Sequence, residues 1–143
     1  MKLKFWGVRG SIPSPGPETV EYGGNTACVE VTVEERPDEV FIFDSGTGIR
    51  KLGLDLMKRG VKQIHLFVSH THWDHIQGFP FFVPAFAKGT KITIYGPRPV
   101  GRTVREAFRT QMEHDFFPVP SRWLPSQMDF IDLVEEERSI GNV

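Results

Sequence analysis

The chain has a single cysteine, Cys28, among its 143 residues. No intrachain disulfide can form, and the expected compartment is the cytoplasm. Cys28 has no local base placed to activate it, so it reads as a structural side chain rather than a nucleophile. No apolar run approaches the length of a membrane span, and Met1-Lys2-Leu3-Lys4-Phe5-Trp6 lacks a signal-peptide core. A membrane partner is not expected. A charge excess is missing too: 17 basic and 18 acidic residues leave a net −1. No global field draws the chain to nucleic acid or to a membrane surface. There is no internal repeat and no low-complexity segment. Asp44-Ser45-Gly46-Thr47-Gly48 sits between a predicted strand and a predicted helix, but without the Gly-x-x-x-x-Gly-Lys-[Ser/Thr] spacing of a phosphate loop, so that reading is rejected.

What is present is a folded core and one dense polar cluster. Hydrophobic residues make up 39% of the chain, with 12 phenylalanines, enough for one compact domain spanning residues 1–143. Histidine is scarce, at five, yet His70, His72 and His75 fall together in Ser69-His70-Thr71-His72-Trp73-Asp74-His75. The run Gln63–Val68 just upstream is apolar, β-branched and aromatic, and reads as a buried strand. The cluster therefore sits where a strand ends and a loop begins, the usual place for chemistry in α/β proteins. Two positions apart in extended geometry, His70 and His72 point to one side and can grip one ion. Asp74 and His75 follow a turn and can aim at a second point. Imidazole nitrogen and carboxylate oxygen suit Zn²⁺, with Mn²⁺ or Fe²⁺ as alternatives. Two such ions about 3.5–4 Å apart form a clamp for hydrolysis.

His70-Thr71-His72-Trp73-Asp74-His75-Ile76-Gln77-Gly78 resembles the His-x-His-x-Asp-His signature of the metallo-β-lactamase-fold hydrolases, on the ribonuclease Z and cyclic-phosphodiesterase side of that superfamily. The resemblance implies that His70 and His72 bind the first metal and Asp74 and His75 the second. Asp74 is then also the catalytic residue, orienting an attacking hydroxide. Arg9-Gly10-Ser11-Ile12-Pro13 and Gly23-Gly24-Asn25-Thr26 look like loops that border the metal cleft in this family, which makes Asn25 a cleft candidate, as is Thr71 within the motif. Asp44 follows a short strand, as a similar Asp-x-Gly does in family members. It is expected to hold a histidine ligand in its tautomer, to shape the turn, or both.

The remaining pattern predicts strands over Lys2–Val8, with Leu3 and Phe5 on one side and Trp6 on the other, Ala27–Glu34, Val40–Phe43, Lys91–Tyr95 and Phe130–Val134. Helices are expected over Thr47–Arg59, stopped by Gly60, from Asp74 to Phe79, and over Val100–His114. The middle helix would turn its positive end toward the metals. Gly96-Pro97-Arg98-Pro99 breaks a strand, and Glu135–Val143 is a polar end. Phe79–Phe86 reads as core or cleft wall, and His65 as a packed histidine rather than a ligand.

The fold expected from the resemblance is α/β: a metallo-β-lactamase-like αββα sandwich, of which only the N-terminal half is here, a mixed sheet with flanking helices. A complete member carries a further histidine, a bridging aspartate and a last histidine downstream. Past His75 there is only His114, which reads as a surface residue. That leaves two protein ligands per metal, where catalytic zinc sites usually have three plus water. Half a two-sheet sandwich also leaves an apolar face open, to be closed by a second copy if the chain is not a truncated piece of a larger enzyme. The expected activity is metal-dependent phosphodiester hydrolysis by dinuclear-metal hydroxide attack, with the chain truncated and inactive as it stands. The substrate would be a cyclic nucleotide, another small cyclic phosphodiester or an RNA 3′ end. β-Lactam or thioester hydrolysis is the weaker variant. The near-neutral charge weighs against a large RNA. The alternative is a non-catalytic half-domain that binds a metal or a protein partner.

Overall fold

A computed structural model of the chain describes residues 1–97, 102–134 and 139–140. Its strands are β1 (Lys2–Gly7), β2 (Cys28–Thr32), β3 (Glu39–Phe43), β4 (Gln63–Phe67), β5 (Lys91–Pro97) and β6 (Gln127–Leu133). They form one mixed sheet in the order β1-β2-β3-β4-β5-β6. The pairs β1/β2 and β2/β3 are antiparallel, while β3/β4, β4/β5 and β5/β6 are parallel. The described helices are α1 (Ile49–Arg59), α2 (Trp73–Ile76) and α3 (Val104–Thr110), joined by short 3₁₀ turns such as Phe79–Phe81 and Val83–Phe86. No described helix is long and apolar enough to cross a membrane.

The two faces of the sheet have different fates. On one, Val40, Ile42, Ile64, Leu66, Ile92 and Ile94 are buried. They share a core with Ile49, Leu52 and Leu56 of α1, Val104 and Phe108 of α3, and Phe79 and Phe82 of the aromatic segment. On the other face, strand register lines up Phe5, Val29, Phe43, Phe67, Tyr95 and Ile131 in one row. Phe67 stacks on Phe43 at 5.2 Å and on Tyr95 at 4.6 Å between ring centroids. No described helix packs there: Leu3, Phe5 and Phe43 are 51%, 63% and 45% exposed. The architecture is therefore a helical layer on one side of a six-stranded α/β sheet. The second sheet of a sandwich is not among the described residues, so the broader α/β class is what the coordinates carry.

Several expected elements shift. In β1 it is Trp6 that turns to the helical side, where its indole donates to Glu30 at 2.8 Å and it packs on the core. The alternation correctly separates two faces but not which one the helices cover. Helix α1 starts two residues later than expected, and Gly60 caps it in the left-handed region with φ +72°. Met57, in its last turns, is 41% exposed. Helix α3 is shorter than Val100–His114: Thr103 and Glu106 form a reciprocal capping box that fixes its start at Val104. Val100 lies outside the described residues, as do Arg98 and Pro99 of the strand-breaking run and most of Glu135–Val143. Strand β6 begins three residues earlier than Phe130 because it pairs with all of β5. Phe79–Phe86 splits: Phe79 and Phe82 are core, while Phe81 is 56% exposed.

His65, on β4, is 5% exposed. Its Nε2 meets the Glu39 carboxylate at 3.1 Å and its Nδ1 the Tyr95 hydroxyl at 3.3 Å. Burial pushes its pKa below the usual 6.5, against the pull of Glu39, with Arg36 and Lys91 adding to the downward shift. The unfolded chain then binds a proton that the folded chain refuses, so stability falls as pH drops below about 6.5. Urea unfolding at pH 7 and pH 5.5 should show a loss for the wild type that is smaller in His65→Gln. The two faces are tested in the same way. Phe5→Lys should change the unfolding free energy by less than about 0.5 kcal/mol, while Ile42→Ala on the covered face should cost about 2–5 kcal/mol.

Candidate metal centre

Parallel pairing sets the position of the site. Strands β3 and β4 end side by side, with Phe43 opposite Phe67. Asp44 leaves the first and Ser69–His75 leaves the second. The Asp44 amide still bonds the Phe67 carbonyl at 2.8 Å, but the residue then turns into the left-handed region, φ +62°. Aspartate tolerates that region better than most side chains. The turn aims its carboxylate back across the strand ends. Oδ1 accepts from the Ser69 amide at 2.8 Å and the Ser69 hydroxyl at 2.9 Å, and Oδ2 pairs with His75 Nδ1 at 2.8 Å. A proton held between Nδ1 and the carboxylate leaves His75 Nε2 as the nitrogen free to ligate.

The next residues clamp α2 against this turn. Ser45 donates its amide to the His75 carbonyl at 2.7 Å, and Gly78 donates to the Ser45 carbonyl at 2.9 Å. Gly46 is required here, since a Cβ would lie 2.3 Å from the Asp74 carbonyl oxygen and 2.4 Å from Thr26 Oγ1. Helix α2 is a single turn, Trp73–Ile76. It has too few aligned peptides to present the helix dipole expected beside the metals.

The four motif side chains converge in two pairs. His70 Nε2 and His72 Nδ1 are 3.1 Å apart. His75 Nε2 and Asp74 Oδ2 are 3.4 Å apart. The His70 ring centroid lies 4.1 Å from that of His75 and 4.4 Å from that of His72. Two donors each about 2.0–2.1 Å from one zinc ion can stand at such separations, so each pair fits a shared ion in chemistry and in spacing. Among the described residues, no group of three or more His, Cys, Asp or Glu is arranged to hold a metal. The described residues thus bring two donors per candidate ion and no third.

Electrostatics keep Asp74 and His70 in ligating form. The Ser11 amide, donating to Asp74 Oδ2 at 2.8 Å, is the main cause that holds the Asp74 carboxyl below its usual range, with His75 assisting. Partial burial, then His75 and His72, lower His70 and favour its neutral ring. Ser11 has φ +65°, so the two described non-glycine residues in the left-handed region, Ser11 and Asp44, both touch this cluster. Backbone strain of that kind gathers at functional sites.

The other candidates divide. Asn25 bonds within its own loop region and to Thr47. Its side-chain oxygen accepts from Thr47 Oγ1 at 3.2 Å, and its carbonyl accepts from the amides of Val8 and Arg9, so it latches the loop. Thr71 lines a cavity beside the motif. Cys28 is fully buried, and burial, then Asp44 and Glu30, push its thiol far up, which keeps it protonated. His114 is exposed. Two polar groups escaped the sequence reading. Ser69 opens the motif itself, and Ser11 lies in the loop that the resemblance placed at the cleft, but nothing in residue type marks either one.

The class the structure defines is a mixed α/β protein, with imidazole and carboxylate side chains gathered at adjacent parallel strand ends. No family model matches the chain. Among curated proteins it is similar to ribonuclease Z of Lactobacillus johnsonii, with 29% identity over 122 aligned positions that cover 83% of this chain and 37% of that protein. Ribonuclease Z of Streptococcus gordonii is 28% identical across the whole chain and 42% of its own length, and that of Bacillus mycoides is 26% identical over 95% and 40%. The chain is similar over most of its length to ribonuclease Z of the metallo-β-lactamase family, the branch to which the motif points. It spans about two fifths of the length of these relatives. The name of these relatives is that of a nuclease acting on RNA.

Proposed function

We propose that this chain carries the front half of a metal-dependent phosphodiester hydrolase site of the metallo-β-lactamase type, with RNA or a small nucleotide as substrate. One observation carries the reading: three imidazoles and a carboxylate meet as two donor pairs at the ends of β3 and β4, braced by Asp44. His70 and His72 would hold one ion, Asp74 and His75 the other, with zinc first and manganese or iron as alternatives. Bound divalent ions supply charge stabilisation on the phosphoryl oxygens and a nucleophile at neutral pH. The chain's own part is positional. Asp44 fixes the His75 ring so that Nε2 faces outward. Ser11 holds Asp74 ionised, ready to accept a proton from the attacking water and to orient it. Asn25 and Thr47 secure the loop that delivers Ser11.

Catalytic zinc usually has three protein donors, so turnover needs donors from outside the described pairs. The open face of the sheet fits the same view: it is an apolar surface suited to the remainder of a longer chain or a second copy. That incompleteness also favours a second reading, a non-catalytic half-domain that binds a metal or a partner.

Hydrolysis of bis(p-nitrophenyl) phosphate with zinc or manganese, by this chain alone and within a longer parent protein, separates the two. Asp74→Ala should abolish metal-dependent hydrolysis, on the order of 10²-fold or more for an orienting proton acceptor, while the fold persists. Hydrolysis that survives Asp74→Ala, or none in any longer form, would leave only the binding reading.

A further inference from the structure

A cavity of about 230 Å³ opens beside the motif, lined by Thr71, Trp73, Ile76, Arg102, Gln111 and Phe116 among others. Thr71 and Trp73 alternate in sequence with the donors His70, His72 and Asp74, so the cavity borders the candidate metal centre. Its volume is below the roughly 300–1,000 Å³ of sites that enclose a whole small-molecule ligand, which suits one ring system better than a whole nucleotide.

Gln111 sets this cavity apart. It sits at the end of α3 and is 6% exposed, yet neither Oε1 nor Nε2 has a hydrogen-bond partner. A buried amide with both ends unpaired is costly and rare in a folded protein. Its backbone is fixed by the helix end, with the amide bonded to the Ala107 carbonyl, so only the side-chain torsions are left to bring the amide group to a ligand. Trp73 and Phe116, each 62% exposed, leave two large aromatic faces in water along the same wall. Arg102 adds an exposed cation. An amide that offers one donor and one acceptor side by side, aromatic faces and a cation are the parts with which proteins read an unstacked base and its phosphate.

We infer that this cavity is a base-recognition subsite, in which Gln111 reads an adenine edge and Trp73 or Phe116 stacks on the ring, next to the phosphodiester held at the donor pairs. Glutamine pairs with adenine through N6 and N7, a donor beside an acceptor. Guanine shows two acceptors on that edge and satisfies only half of the amide. The inference rests on the hydrolase reading for the identity of the substrate, whereas the cavity and its unpaired amide stand without it.

The test is a titration by ligand-observed NMR with the four nucleoside 5′-monophosphates, in chelator so that no metal contributes. Adenosine 5′-monophosphate should bind about ten-fold tighter than the other three, the scale of one bidentate base contact. Gln111→Leu, which removes the unpaired amide and keeps the bulk, should erase that preference. Trp73→Ala, at an exposed position that the fold does not need, should weaken all four and keeps the test open if the Gln111 variant does not fold. Equal affinity for all four bases, no binding at millimolar nucleotide, or an intact preference in folded Gln111→Leu would overturn the inference. The last result would mean that Gln111 holds only a buried water. Adenine-selective binding without hydrolysis in any form fails the hydrolase reading and not the subsite; hydrolysis without base preference does the reverse.

Discussion

The bond between the Asp44 carboxylate and His75 Nδ1, at 2.8 Å, is the constraint on which the rest of the site depends. It joins the end of one parallel strand to the loop that leaves the next. Through the same carboxylate, Ser69 fixes the start of that loop. Remove the acceptor and three donors lose their partner at once, in a half-buried place where an unpaired group costs about 1–3 kcal/mol. The left-handed turn at Asp44 is the local cost of aiming it. The ring it holds then lies tilted against His70, which pairs with His72. Carboxylates that brace histidine ligands in this way usually change metal affinity by about 10–100-fold when removed.

Among the described residues, helices cover one face of the sheet only. Apolar side chains occupy both faces of β2, β3 and β4, the pattern of strands buried on both sides. Helices α1 and α3 cover one face. The other keeps Phe5, Phe43 and Leu3 in water, with Phe43, Phe67 and Tyr95 stacked in a row. The chain spans about two fifths of the length of the curated relatives it matches, and the described residues supply two donors for each candidate ion and leave one sheet face bare.

The sequence made the strands and the donor cluster legible because both rest on local pattern. Alternation located β1 to β5 to within a few residues, and spacing alone paired His70 with His72. Side chains that depend on tertiary approach were not legible. Trp6 faces the core because Glu30 lies across the pair, not because of its neighbours in the chain. Asn25 latches its loop through Thr47, 22 positions away. Ser11 reaches Asp74 from 63 positions away, through a backbone amide that any residue could supply. The length of α3 was overread because helical spacing runs on past the residues that cap it.

The central claim is that His70, His72, Asp74 and His75 form a metal-holding half-site. Zinc titration of the chain, followed through its five histidine ring resonances by NMR, tests it most directly. The account predicts that His70, His72 and His75 shift together on weak, reversible binding while His65 and His114 stay still, and that Asp44→Ala weakens the effect about 10–100-fold. Zinc that leaves the three motif histidines unmoved, or that shifts His65 or His114 instead, would contradict it.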